Sequence, residues 1–256
     1  MLEILHDILK NSPGTIELTF LSWWHLLYIL LDLTLIATLC FFNVNKPTKS
    51  QDKWLWGIAI FALASYVLDL ALQPIIYLGE ATVWETIINK TPFHLSTLSS
   101  ILILLAMIIK KDWFRNIVAM YAMFSGILFL IAPQTYVQGG YSPFCYQVLQ
   151  TFLYHGAILL WALYAVLSGF VKPSLKYLPS SLASFPLIGL WAEIGNTLFY
   201  TPTRNFMFMR HDILGLLPGN WYFLEYAIIG LVVISGYYAF FGLVYPRFAQ
   251  KLNLAK

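Results

Sequence analysis

Seven stretches of this chain are apolar enough to cross a bilayer, and almost every ionisable residue within them falls in one half of it. A transmembrane helix needs roughly 20 mainly apolar residues. Leu21–Phe42, Trp54–Tyr77, Pro92–Ile109, Trp113–Ile131, Gln147–Val171, Tyr177–Tyr200 and Trp221–Val244 qualify as candidates. Composition agrees. Of 256 residues 59% are hydrophobic and 11% charged, with a mean hydropathy of +0.71. A soluble domain carries about 25% charged residues. The expected fold is all-α, with seven transmembrane helices in one membrane domain over 21–245. A short interfacial segment over 1–20 precedes it and a cytoplasmic tail over 246–256 follows. The first twenty residues mix Glu3, Asp7, Lys10 and Glu17 with Leu and Ile and lack a small-residue cleavage site, so no secretory signal is expected.

Direction follows from the basic residues. Lys46, Lys49 and Lys53, then Lys110, Lys111 and Arg115, then Lys172 and Lys176, and finally Arg247, Lys251 and Lys256 fall in loops that alternate onto one face. The opposite face has Lys10, Lys90, Arg204 and Arg210. Basic loops stay cytoplasmic, which places the N-terminus outside and the C-terminus inside a cell membrane. The net charge of +3 is too small to suggest nucleic acid. Cys40 and Cys145 should lie near opposite membrane faces, too far apart for a disulfide. Thr91-Pro92 reads as an N-cap followed by proline at the first helical position, and Pro186 should kink the sixth span.

Within the spans, polar residues recur at helical spacing. The first carries His25, Tyr28 and Asp32, and the second Ser65, Asp69 and Gln73. The third carries His94, Ser96, Thr97, Ser99 and Ser100 near its outer start, and the fifth Gln147, Thr151, Tyr154 and His155. The sixth carries Glu193, Asn196 and Thr197, and the seventh opens with Tyr222, Glu225 and Tyr226. Charges in hydrocarbon are costly and mark function by default. Six helices should therefore surround a polar pocket open toward the outer leaflet, with Asp32 as its floor. The fourth span has little beyond Tyr121, Ser125 and Gly126 and is expected at the periphery, facing lipid. The plainer reading has Asp69 and Glu193 pair with His25 or His94 in a buried structural network.

Several segments resemble the YwaF-like family of integral membrane proteins. Phe20-Leu21-Ser22-Trp23-Trp24-His25 is similar to its aromatic-His opening, and Pro92-Phe93-His94-Leu95-Ser96 to its Pro-Leu-His/Gln-Leu-Cys segment. Gly126 through Pro133, Gln150 through Gly156, Asn205-Phe206-Met207-Phe208 and Ile213 through Tyr222 resemble further elements in the same order. Relatives of that family include seven-span lysophospholipid acyltransferases and, more distantly, the androgen-induced membrane hydrolases, which use a Thr nucleophile and a His. The resemblance implies acyl chemistry on lipids, with a nucleophile on span three and a His on span five. The family's Cys position is Ser96 here, so a thiolate is not available, and a serine needs a base.

The favoured expectation is a membrane-embedded lipid acyltransferase or ester hydrolase in the outer half of the bilayer, acting on a phospholipid or lysophospholipid without metal or cofactor. Ser96 would attack, His155 would take its proton, and Asp69 or Glu193 would orient the imidazole. His25 and His94 would line the substrate pocket. Asn196, Asn205 and the Asn220 region would serve the oxyanion, and Arg204 and Arg210 would hold a phosphate. Ser96 lies about 6 Å and His155 about 12 Å into their helices, an offset of one turn. Two other classes compete. One is a metal-dependent hydrolase using His25, His94 and His155 with Asp69 or Glu193. The other is a proton-coupled transporter or small-solute binding protein.

Overall fold

The computed structural model describes residues 2–9, 18–79, 81–131, 142–201, 205–208 and 222–245. Among them the regular structure is helical throughout. Helix α1 (Leu2–Leu9) precedes α2 (Trp23–Asn43) and α3 (Thr48–Ile76). A short α4 (Val83–Asn89) leads into α5 (Leu95–Ile109), α6 (Asp112–Ile131) and α7 (Tyr146–Leu167). The last described helices are α8 (Leu178–Leu198) and α9 (Tyr222–Ala239), which runs on as a π-helical turn, Phe240–Val244.

Each predicted span coincides with one of these helices. Among the described residues, five stretches are long and apolar enough to cross a membrane: α2, α3, α6, α7 and Leu224–Val244. α5 is apolar but has only 15 residues, about 22 Å. α8 has 21 residues, with Pro179, Ser180, Ser181, Ser184, Pro186, Glu193 and Asn196 diluting its apolar character. The protein is thus a multi-pass membrane protein, helical throughout its described regular structure, with five clear spans among the described residues.

Local chemistry sets the helix ends. Ser22 caps α2 by accepting from the His25 N–H at 3.3 Å. Thr82 and Glu85 close a reciprocal capping box on α4. Thr91-Pro92 does not start α5 as anticipated. Thr91 instead finishes the α4 turn, its hydroxyl donating to the Ile88 carbonyl, and α5 begins at Leu95 behind His94. At the other end Lys110 turns through the left-handed region (φ +56°), so that α5 and α6 fold into a tight antiparallel hairpin.

α7 is the hub. It packs on α2, α3, α5 and α6, and Phe152, Ile158, Trp161 and Tyr164 are buried along it. α6 corrects the expectation for the fourth span. It is not peripheral: Ile117 through Met123 are all buried, and α6 makes its most extensive packing with α7. The reason is side-chain size. Membrane helices approach closely where residues are small, and α6 offers Ala119, Ala122, Ser125 and Gly126. A Cβ on Gly126 would lie 2.7 Å from the Leu159 Cβ and 3.1 Å from the His155 carbonyl oxygen.

At the end of α3 away from the basic α2–α3 turn, α1 lies across the helix terminus. His6 Nδ1 is 2.9 Å from the Ile75 carbonyl, while Leu2 and Ile4 are exposed. Both cysteines are buried and unbridged.

Candidate functional site

The six predicted polar stripes do not surround one pocket: those of α3, α5 and α7 share a seam, while those of α2 and α8 lie elsewhere. Tyr154 faces it from the middle of α7, and the neighbouring His155 turns toward Phe129 of α6. The Tyr154 hydroxyl donates to the Ser96 carbonyl at 2.8 Å, so the tyrosine's length bridges the expected offset between α5 and α7. On α3, Asp69 Oδ1 accepts from the Gln73 amide at 2.8 Å and Oδ2 pairs with Lys90 Nζ at 2.8 Å. Tyr66, one turn earlier, holds the Lys90 carbonyl at 2.9 Å. Lys90 is thereby fixed at both its backbone and its ammonium, within electrostatic reach of His94 and His155. Further along the seam Gln150 reaches Ser65, and Gln147 reaches the Tyr77 hydroxyl.

His155 has a defined tautomer. Its side chain leans back along α7, as helical side chains do, and Nδ1 lies 2.8 Å from the Thr151 carbonyl. A carbonyl can only accept, so Nδ1 carries the proton and Nε2 keeps its lone pair. Nε2 has no hydrogen-bond partner among the described residues. The ring is held on two sides: it stacks on Phe129 at 3.8 Å and 13°, and Tyr154 stands edge-on at 5.0 Å. The residue is only 8% exposed. A buried, oriented imidazole with one open nitrogen is equipped to take a proton and return it.

The other expected residues fall in different places. Neither Asp69 nor Glu193 orients His155. The Thr151 carbonyl has that position, because Asp69 is engaged by Lys90 and Gln73. Ser96 sits half-buried in the first turn of α5. No hydrogen bond joins its hydroxyl to His155 among the described residues. His25 uses both ring nitrogens on backbone: Nδ1 accepts from the Leu21 N–H at 3.1 Å and Nε2 donates to the Leu130 carbonyl at 2.9 Å. That bonding supports the positive-φ turn at Leu21 and ties α2 to the end of α6. It leaves no nitrogen for a substrate.

Glu193 and Asn196 belong to an aromatic corner where α8 meets the segment before α5. Asn196 clamps Phe206, accepting from its N–H at 2.7 Å and donating to its carbonyl at 3.3 Å. Glu193 accepts from Asn196 and Thr197. Phe206 in turn packs on Phe93 and stands edge-on to His94 at 5.0 Å. Gly195 lets the Phe93 ring approach, for a Cβ there would overlap it at 2.3 Å. Trp191 closes the corner with a 2.7 Å bond to the Pro92 carbonyl. His94 therefore links the corner to the Lys90 side of the seam. Asn205 precedes Phe206 and is half-buried, whereas Arg204, Arg210 and Asn220 lie outside the described residues.

Asp32 does not floor this seam. It lies on the other side of α7, at the end of a cleft of about 260 Å³ whose remaining lining is apolar. Among the described residues no three His, Cys, Asp or Glu side chains assemble as a metal-binding group, so a metal centre gains no geometric support. Two contributors escaped sequence reasoning. In the sequence Lys90 is a loop charge, and only the fold pairs it with the buried Asp69. Phe129 had no polar signal at all.

The model of the TMEM164 family matches residues 20–238, and the chain therefore belongs to the TMEM164 family. The match runs from the residue before the Leu21 turn to near the end of α9. It supports a membrane-protein family and carries no evidence of acyl transfer or of the YwaF-like relationship. No curated protein and no solved structure matches the chain.

Proposed function

We propose that the chain is a seven-span lipid acyltransferase or lipid ester hydrolase, with α5 and α8 as its third and sixth crossings. Its site lies in the outer half of the bilayer, and its substrate is a membrane phospholipid or lysophospholipid. The single observation that carries this reading is the state of His155: Nδ1–H directed at the Thr151 carbonyl and Nε2 open. The YwaF-like motifs supply the choice of lipid esters.

In the reaction, the Ser96 hydroxyl attacks the ester carbonyl carbon while His155 Nε2 takes its proton. The ester C–O bond breaks, and the departing lysolipid oxygen recovers that proton from His155. The acyl group is now an ester of Ser96. An acceptor lysophospholipid hydroxyl, or water, repeats the exchange and frees the serine. Lys90, pinned by Asp69 and Tyr66, places a positive charge beside the developing oxyanion. Phe129 and Tyr154 keep the imidazole in its plane throughout.

A second reading has His155 activate the acceptor hydroxyl directly, with no acyl-serine. The lack of a Ser96–His155 hydrogen bond favours it. A fluorophosphonate probe separates the two in protein reconstituted into nanodiscs. Covalent labelling mapped to Ser96 and lost in Ser96→Ala and His155→Ala supports the acyl-serine. Full lipid turnover by Ser96→Ala, with none by His155→Ala, assigns direct transfer.

A further inference from the structure

Asp32 has no role in the histidine site, and its surroundings ask for a ligand. The carboxyl is 7% exposed, Oδ2 has no hydrogen-bond partner, and no described cation reaches it. Its space is cleared by Gly156, where a Cβ would lie 3.0 Å from Oδ1. Asp32 is the tenth of 21 residues in α2, near the middle of the span. The cleft beside it opens between α2 and α3, because α2 packs on α7 rather than on its sequence neighbour. From Asp32 the lining follows α2 through Ile36 to Leu39, about 10 Å of helix. Phe61 and Leu153 line the cleft yet remain exposed on the outer surface of the bundle, so it is open sideways to the bilayer. Opposite, a Cβ on Gly57 would meet nothing within 4 Å.

We propose that this cleft binds a lipophilic amine: an apolar chain about 10 Å long, lying along α2 and carrying a protonated amine that pairs with Asp32. The apolar walls take the hydrocarbon, and the lateral opening admits a molecule already dissolved in the membrane. The carboxylate selects the head. A fatty acid would bring a like charge, and a plain acyl chain would leave Asp32 as solitary as before. Low local polarity strengthens the pairing of opposite charges.

The test uses full-length protein in phosphatidylcholine nanodiscs, a diazirine-bearing decylamine, and the corresponding uncharged alcohol. Photolabelled peptides are mapped by mass spectrometry, and thermal melts check that each variant is folded. The amine should label α2, α3 and α7 peptides and be displaced by decylamine. Asp32→Asn should lower amine labelling by about tenfold while changing alcohol labelling by less than about twofold. Gly57→Leu fills the cleft without touching the carboxyl and should reduce both. Amine labelling that survives Asp32→Asn or Gly57→Leu, or that scatters over all lipid-facing helices, overturns the proposal. Neither residue has a part in the acyl-transfer chemistry proposed above, so that reading stands or falls separately.

Discussion

Individual side chains divide here into those whose polar atoms are satisfied and those left open. Asn196, His25 and Asp69 are satisfied and hold backbone or a neighbouring charge in place. His155 Nε2 and Asp32 Oδ2 are open, each on its own side of α7. An open buried acid is a liability for the fold: an unsatisfied buried polar group costs about 1–3 kcal/mol. Asp32→Leu should therefore raise the unfolding free energy of the ligand-free protein by roughly that amount. A higher melting temperature in detergent is the readout. Unchanged or lower stability would mean that the carboxyl is already compensated.

Helices were the most legible part of the sequence, and their neighbours the least. Long apolar runs located α2, α3, α6, α7 and α9, because hydrocarbon length is a property of a segment by itself. Which helix lies inside depends on shape. Ala119 and Ala122 carry no polar signal in the sequence, yet with Gly126 their small size lets α6 nest against α7. α4 leaves no mark in the sequence because seven residues carry too little periodicity, so Lys90 at its end reads as a loop charge. Residue type marked the individual polar groups, and of these Tyr154 reaches the Ser96 backbone while Asp69 pairs with Lys90. Hydrogen-bond partners were not legible: the Thr151 carbonyl that orients His155 is backbone and leaves no mark in the sequence. Close α6–α7 packing makes a specific prediction. Gly126→Val must push Leu159 and the His155 backbone aside, and overpacking of this kind costs about 1–3 kcal/mol. Thermal unfolding should show that loss, with activity falling alongside it. A neutral substitution would contradict the placement of α6.

For the molecule as a whole, the division of basic residues makes a prediction about the direction of insertion. Eleven of the fifteen Lys and Arg residues fall on one predicted face. On the seven-span reading proposed above, that bias predicts a cytoplasmic C-terminus and a site in the outer half of the bilayer. A C-terminal green fluorescent protein fusion should fluoresce, and a C-terminal alkaline phosphatase fusion should be inactive. The reverse pattern would move the proposed site to the inner leaflet. The Asp32 cleft, running from mid-span toward the α2–α3 turn, would change sides with it. The most direct test of the account is lipid turnover by His155→Ala. Purified protein in nanodiscs containing a phospholipid with a labelled acyl chain and a lysophospholipid acceptor should transfer or release that chain. His155→Ala, folded to the same melting temperature, should lose at least about 100-fold of the rate. Equal turnover by the two proteins, or none by wild type above empty nanodiscs, would contradict acyl chemistry at this site.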